Sequence, residues 1–165
     1  MSKLEHSDIG SILNKNRTKF SILASQLFDN RYIWGFHHLY SAAWHALKAW
    51  RNERMISKAL SIEILLYAAA QRQIKRAIAL VGVKETTKDV AGILLGKTSQ
   101  DLFNASHQLQ EELQIKLNMK LLDDFKSKSE LFIQILNNDG YNATDFTFDE
   151  IGKAVFQKIA LLALE

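Results

Sequence analysis

The stretch EILLYAAAQRQIKRAIALVG, Glu63 to Gly82, contains no proline and turns from nearly all apolar to strongly basic halfway along. Leu60, Ile64, Tyr67, Ile74, Ile78 and Val81 recur at helical spacing across it, so the pattern predicts one continuous helix with Gly82 as its C-cap. On the helical wheel Glu63 and Gln71 share the apolar side, whereas Arg72 and Arg76 lie roughly opposite. A buried carboxylate or amide without hydrogen bonds costs about 1–3 kcal/mol, so both are expected to bond to backbone or to neighbouring groups. Arg72, Lys75 and Arg76 have two readings, a solvated helix face or a surface that contacts phosphates without reading sequence.

The chain around this helix has 165 residues, of which 47% are hydrophobic and 24% charged. That is the composition of a single globular domain, residues 1–165, neither disordered nor membrane-embedded. The absence of cysteine excludes disulfides, thiolate metal sites and a cysteine nucleophile, and suits a reducing compartment. No apolar run has signal-peptide length or approaches the ~18 residues that span a bilayer, so a cytoplasmic protein without a membrane partner is expected. Residues 1–85 carry 13 basic against 6 acidic side chains, a net +7, while residues 86–165 carry 8 against 12, a net −4. The basic half is the natural place for a polyanion.

Upstream, the alternation between Lys19 and Leu27 predicts a first strand, with Asp29–Asn30 as its turn and residues 1–18 as an N-terminal extension. Phe36, Leu39, Ala43, Ala46, Leu47 and Trp50 give a second helix one apolar face, opposite His37, Trp44, Lys48 and Arg51. Asn52 to Ser57 breaks it from the helix that follows, and the two should form an antiparallel hairpin. Downstream, DVAGILLG reads as a buried strand, and Thr98 or Ser99 caps a helix to about Leu113. KLNMKLLDDF, residues 116–125, alternates weakly as a third strand, and a helix covers Ser129 to Leu136. Thr147, with Glu150 three residues later, has the spacing of a capping box that starts the last helix. The sum is an α+β fold, a small sheet of three to four strands packed with several helices.

Catalytic and metal motifs are missing. His37, His38 and His45 place no two ligands one turn apart on a common face, and no carboxylate completes a set, so no metal and no cofactor are expected. Asp123–Asp124 and Glu111–Glu112 are adjacent pairs whose members point apart, which reads as solvated surface rather than as an acid and a base. No phosphate loop, dinucleotide fingerprint or nucleophile elbow occurs, so no small-molecule substrate is assigned. Trp44 sits among cations on an outer face, where it is either covered by another element or free to stack on unpaired bases. In the last helix Val155, Ile159 and Leu162 make one face with Ile151, yet Phe156, Leu161 and Leu164 make it apolar nearly all round. Such a helix is either central or covered by a partner.

SIEILLYAAAQRQIKRAIALVG, together with HHLYSAAWHALKAW (His37 to Trp50) and the ending KAVFQKIALLALE, resembles the kinase-binding subunit of the KEOPS complex, the family of the human p53-related protein kinase-binding protein. The resemblance covers residues 19–165 and is closest to archaeal members. Ala70 stands where the family has a small residue, often glycine, before Gln-Arg-Gln. The resemblance implies a non-catalytic subunit of the machinery that makes N6-threonylcarbamoyladenosine on tRNA. Its partners would be the small atypical kinase subunit and tRNA, including the single-stranded 3′ CCA end. Trp44, Lys48, Arg51, Arg72, Lys75 and Arg76 are the candidates for tRNA, and Val155, Phe156, Ile159, Leu161, Leu162 and Leu164 for the kinase. Two rivals remain: a protein-interaction module that binds no RNA and forms homodimers, and a small enzyme using His37 or His38 as general base.

Overall fold

A computed structural model describes residues 6–164. In chain order the elements are α1 (His6–Lys19), β1 (Ala24–Asp29), a 3-10 turn (Asn30–Tyr32), α2 (Gly35–Arg51), α3 (Leu60–Ala69), α4 (Ile74–Val81), β2 (Val90–Leu95), α5 (Ser99–Glu112), α6 (Met119–Leu122), α7 (Phe125–Asn138) and α8 (Phe148–Leu162). The sheet has two antiparallel strands rather than three to four, with Ala24 opposite Leu95 and Asp29 opposite Val90.

The expected third strand, residues 116–125, instead holds α6 and the start of α7. Asn118 Oδ1 accepts from the Lys120 N–H and Asp124 Oδ1 from the Ser127 N–H, so each side chain seeds a helical turn. The alternating Leu117, Met119 and Leu121 remain exposed. The first strand begins at Ala24, five residues later than expected, since Lys19 closes α1 and Ser21 turns the chain with φ +52°. Most of the expected extension is α1, which packs on α5 and β1 and is tied down by Asn16 Nδ2 donating to Ala105 O at 3.0 Å. Residues 1–5 lie outside the described ones.

The sheet is packed on both sides. Ala24, Phe28 and Ala91 join the main core with Ile33, Ile64, Leu66, Leu136, Ile151 and Ile159. On the other side Leu27 meets Leu109 and Leu113. Each large side chain so buried contributes about 1.5–3 kcal/mol. Four alanines of α2, Ala42, Ala43, Ala46 and Ala49, are buried in its contact with α3, so helix backbones approach closely there. This displaces the expected face: Phe36 and Trp50 stand outside. At the start of α2, Gly35 has φ +74°, and a Cβ there would lie 2.5 Å from Asp123 Oδ1. That carboxylate accepts from the Phe36 N–H at 2.8 Å, so Asp123 and Asp124 are helix caps and not merely solvated charges. The capping box of α8 forms as expected between Thr147 and Glu150.

Candidate functional site

The basic stretch is two helices, not one. Ala70 adopts left-handed φ +48°, ψ +46°, and the Gln71 N–H donates back to Leu66 O at 3.0 Å, which closes α3 in a Schellman-type turn. Residues 71–73 reverse the chain into α4, whose first turn carries Lys75 and Arg76 and no acidic residue. Cations at a helix N-terminus oppose the helix dipole, so stability does not explain them. Together with the free N–H groups of that turn they concentrate positive potential on an exposed surface. Ile74 and Ile78, expected inside, are 43% and 47% exposed beside them. The break rotates α4 relative to α3, which a single helical wheel could not foresee.

Of the two interior side chains expected to find hydrogen bonds, Glu63 does so. Glu63 is completely buried, and its carboxylate accepts from Ile56 N, Ser57 N and Ser57 Oγ at 3.0, 2.8 and 2.8 Å. Those bonds pin the loop between α2 and α3. Gln71 is only half buried and belongs to the turn.

α2 reaches the same region. Its exposed side bears Tyr40, Trp44, Lys48 and Arg51, with Trp44 57% exposed, so no other element covers the indole. Between α2 and α3 the His45 and Tyr67 rings stack, with centroids 5.7 Å apart. Burial lowers the His45 pKa and the charge of Lys48 lowers it further, so the imidazole is neutral. The Tyr67 pKa is raised by burial and by Glu63, against the opposing charge of Arg72. Lys48 thus acts on the His45 end of the ring stack and Arg72 on the Tyr67 end, whereas Arg51 lies about 20 Å along α2 from His38, the residue that bonds to Ala68 O beside the turn. Phe36 and Tyr40, ring centroids 6.0 Å apart, extend the exposed aromatics toward the start of α2. Sequence reading assigned Phe36 to the core; its position one turn before Tyr40 and two before Trp44 was the available signal.

Neither His37 nor His38 is a general base with an acidic orienter. His38 is buried, accepts from the Trp34 N–H at Nδ1 and donates from Nε2 to Ala68 O, both at 2.8 Å. Burial lowers its pKa to about 4, and backbone groups occupy both nitrogens. It is a pin between α2 and the end of α3. His37, its neighbour in the helix, is exposed. Among the described residues no group of His, Asp and Glu could hold a metal ion, and no helix is long and apolar enough to cross a membrane.

In α8, Val155, Ile159 and Leu162 are buried in the chain's own core, so they present no surface to a partner. Phe156 is half buried, whereas Leu161 and Leu164 are 49% and 84% exposed. The apolar residues outside the core face are therefore the ones left uncovered.

A family model described as kinase binding protein CGI-121 matches residues 5–161. No curated protein gives a match to the chain.

Proposed function

The chain belongs to the kinase binding protein CGI-121 family, and we propose that within it the protein is a non-catalytic adaptor of the KEOPS tRNA-modification complex, joining the small atypical kinase subunit to tRNA. The observation that carries the RNA half is the placement of Lys48 and Arg72 about the His45–Tyr67 stack, with Trp44 exposed on α2 and Lys75 and Arg76 at the start of α4. Lys48, Arg51, Arg72, Lys75 and Arg76 meet phosphates, and Trp44 stacks on a base of the unpaired 3′ end. Positioning the RNA in this way speeds modification because a held substrate reacts at high effective molarity.

The kinase half rests on α8. Leu161, Leu164 and the outer edge of Phe156 dock the kinase, while Val155, Ile159 and Leu162 hold the helix rigid from inside. The test is purification of the tagged protein from its own cells, with bound protein and RNA both identified. Recovery of a small kinase with tRNA supports the whole reading. A kinase without salt-sensitive RNA selects the plain interaction module, a reading that the exposed Ile74 and Ile78 would then explain as protein contacts.

A further inference from the structure

One edge of the sheet is left open. Asn30 N donates to Asp89 O at 3.0 Å and Leu23 N to Leu95 O at 2.7 Å, so odd-numbered residues of β2 turn their backbone groups toward β1. Val90, Gly92 and Leu94 direct theirs the other way, and none of those groups has a hydrogen-bond partner among the described residues. Gly92 is exposed, and a groove of about 1050 Å³ runs beside it. Leu117 and Met119, 69% and 53% exposed, line that groove as well.

The edge's own sequence supplies a match for it. When KDVAGILLGK, Lys88 to Lys97, is laid antiparallel on itself about Ile93, Gly92 stands opposite Leu94, Gly96 opposite Val90 and Ala91 opposite Leu95, so every large apolar side chain but Ile93 meets a small residue. The same register sets Asp89 against Lys97 at both ends. Both side chains are exposed, and neither has a partner among the described residues. Backbone parity agrees, because Gly92 and Leu94 meet through their outward groups, which leaves Ile93, Ala91 and Asp89 in the closely spaced pairs that carry no hydrogen bonds. Sliding the strands by two residues either way keeps the parity but loses the match: Asp89 then faces Leu95, or Lys97 faces Ala91.

We propose that the β2 strands of two copies of this chain pair across a twofold axis at Ile93, joining two sheets of two strands into one of four. Such a contact is isologous, so each favourable pair occurs twice. Gly92 lies opposite Leu27 in the sheet, so Leu94 of the second copy arrives on the face where Leu27 packs with Leu109 and Leu113. A pair of six-residue strands is smaller than a standard interface of about 1,200–2,000 Å², so the dimer is weak and depends on concentration. None of the residues that line the groove belongs to α2, α4 or α8, which makes the inference independent of the surfaces assigned to tRNA and the kinase.

The chain has no cysteine, so an introduced one reports without background. Ile93→Cys should cross-link to its own copy on mild oxidation, because a pair without hydrogen bonds holds its Cα atoms about 4.5 Å apart, within the span of a disulfide. Phe103→Cys, exposed on α5 outside the groove, should stay monomeric on a non-reducing gel. Sedimentation of the unaltered full chain should show a monomer–dimer equilibrium. Asp89→Lys or Lys97→Asp alone should raise the dissociation constant by about fivefold or more, and the two together should restore it. Should Ile93→Cys melt below wild type, sedimentation and the charge exchange, made at exposed positions, decide by themselves. Three results would overturn the proposal: a chain that stays monomeric up to millimolar concentration; a dimer in which Phe103→Cys cross-links as readily as Ile93→Cys; and a dimer that the paired charge exchange fails to restore.

Discussion

Ala70 shows how a single position shapes the functional surface. Its left-handed backbone ends α3 and frees residues 71–73 to turn, at a cost of roughly 1–2 kcal/mol for a residue with a Cβ. Glycine there relieves the strain but adds freedom to the unfolded chain. Ala70→Gly is therefore expected to stabilise the fold by about 0.5–1 kcal/mol, seen as a rise of about 1–4 °C in Tm. An unchanged or lower Tm would show that the alanine methyl contributes more than its backbone costs. Lys128 is the opposite case, a buried ammonium that donates to Asn30 Oδ1, Ile33 O and Leu122 O at 3.1, 2.9 and 2.7 Å. Burial lowers its pKa to about 8, opposed by the charges of Asp123 and Asp124. The unfolded chain keeps this proton up to about pH 10.5 while the folded one releases it near pH 8, so stability should rise with pH across that window. The gain, on the order of 1–3 kcal/mol, should be absent from Lys128→Met in denaturant titrations at pH 7.5 and pH 10. If wild type and variant show the same trend, the lysine is not the titrating group. Glu63 was legible in the sequence because a carboxylate within an apolar stripe must find donors. Lys128 was not, since its three acceptors come from segments far apart in the chain or across a loop.

Among elements, local signals were read well and tertiary ones poorly. The capping box at Thr147 and the cap at Thr98 are written in short spacing and form as expected. The break at Ala70 was hidden because alanine is the strongest helix former, and only the turn's own hydrogen bonds reveal it. The missing third strand failed for a different reason: alternation over residues 116–125 is too weak to prevail over Asn118 and Asp124 as helix caps. The terminal helix divides by face, and that division is testable. Leu161→Asp should leave stability within about 0.5 kcal/mol of wild type yet weaken kinase binding by about 2 kcal/mol or more, roughly thirtyfold. Ile159→Asp, at a fully buried position, should unfold the chain. Binding titration of the kinase beside thermal melts separates the outcomes; a Leu161→Asp variant that binds normally would move the docking surface elsewhere.

At the scale of the whole molecule, the +7 and −4 halves of the chain were visible in the sequence, but not where the charge gathers. Folding brings α2 and the α3–α4 turn together across the His45–Tyr67 stack, a pairing no linear pattern displays. Three of the six residues expected to meet the kinase went into the core instead, because helix packing needed the same stripe. The central claim is that this basic, aromatic surface holds tRNA by its 3′ end, and the most direct measurement is a titration of intact and CCA-trimmed tRNA across several salt concentrations. Intact tRNA should bind more tightly to wild type than trimmed tRNA does, with affinity falling as salt rises. Lys48→Ala should lower the salt slope by about one unit, whereas Trp44→Ala should cost about 1–3 kcal/mol with the slope nearly unchanged and should erase the difference between the two RNAs. Equal affinity of wild type for intact and trimmed tRNA, or binding that ignores salt, would contradict the claim.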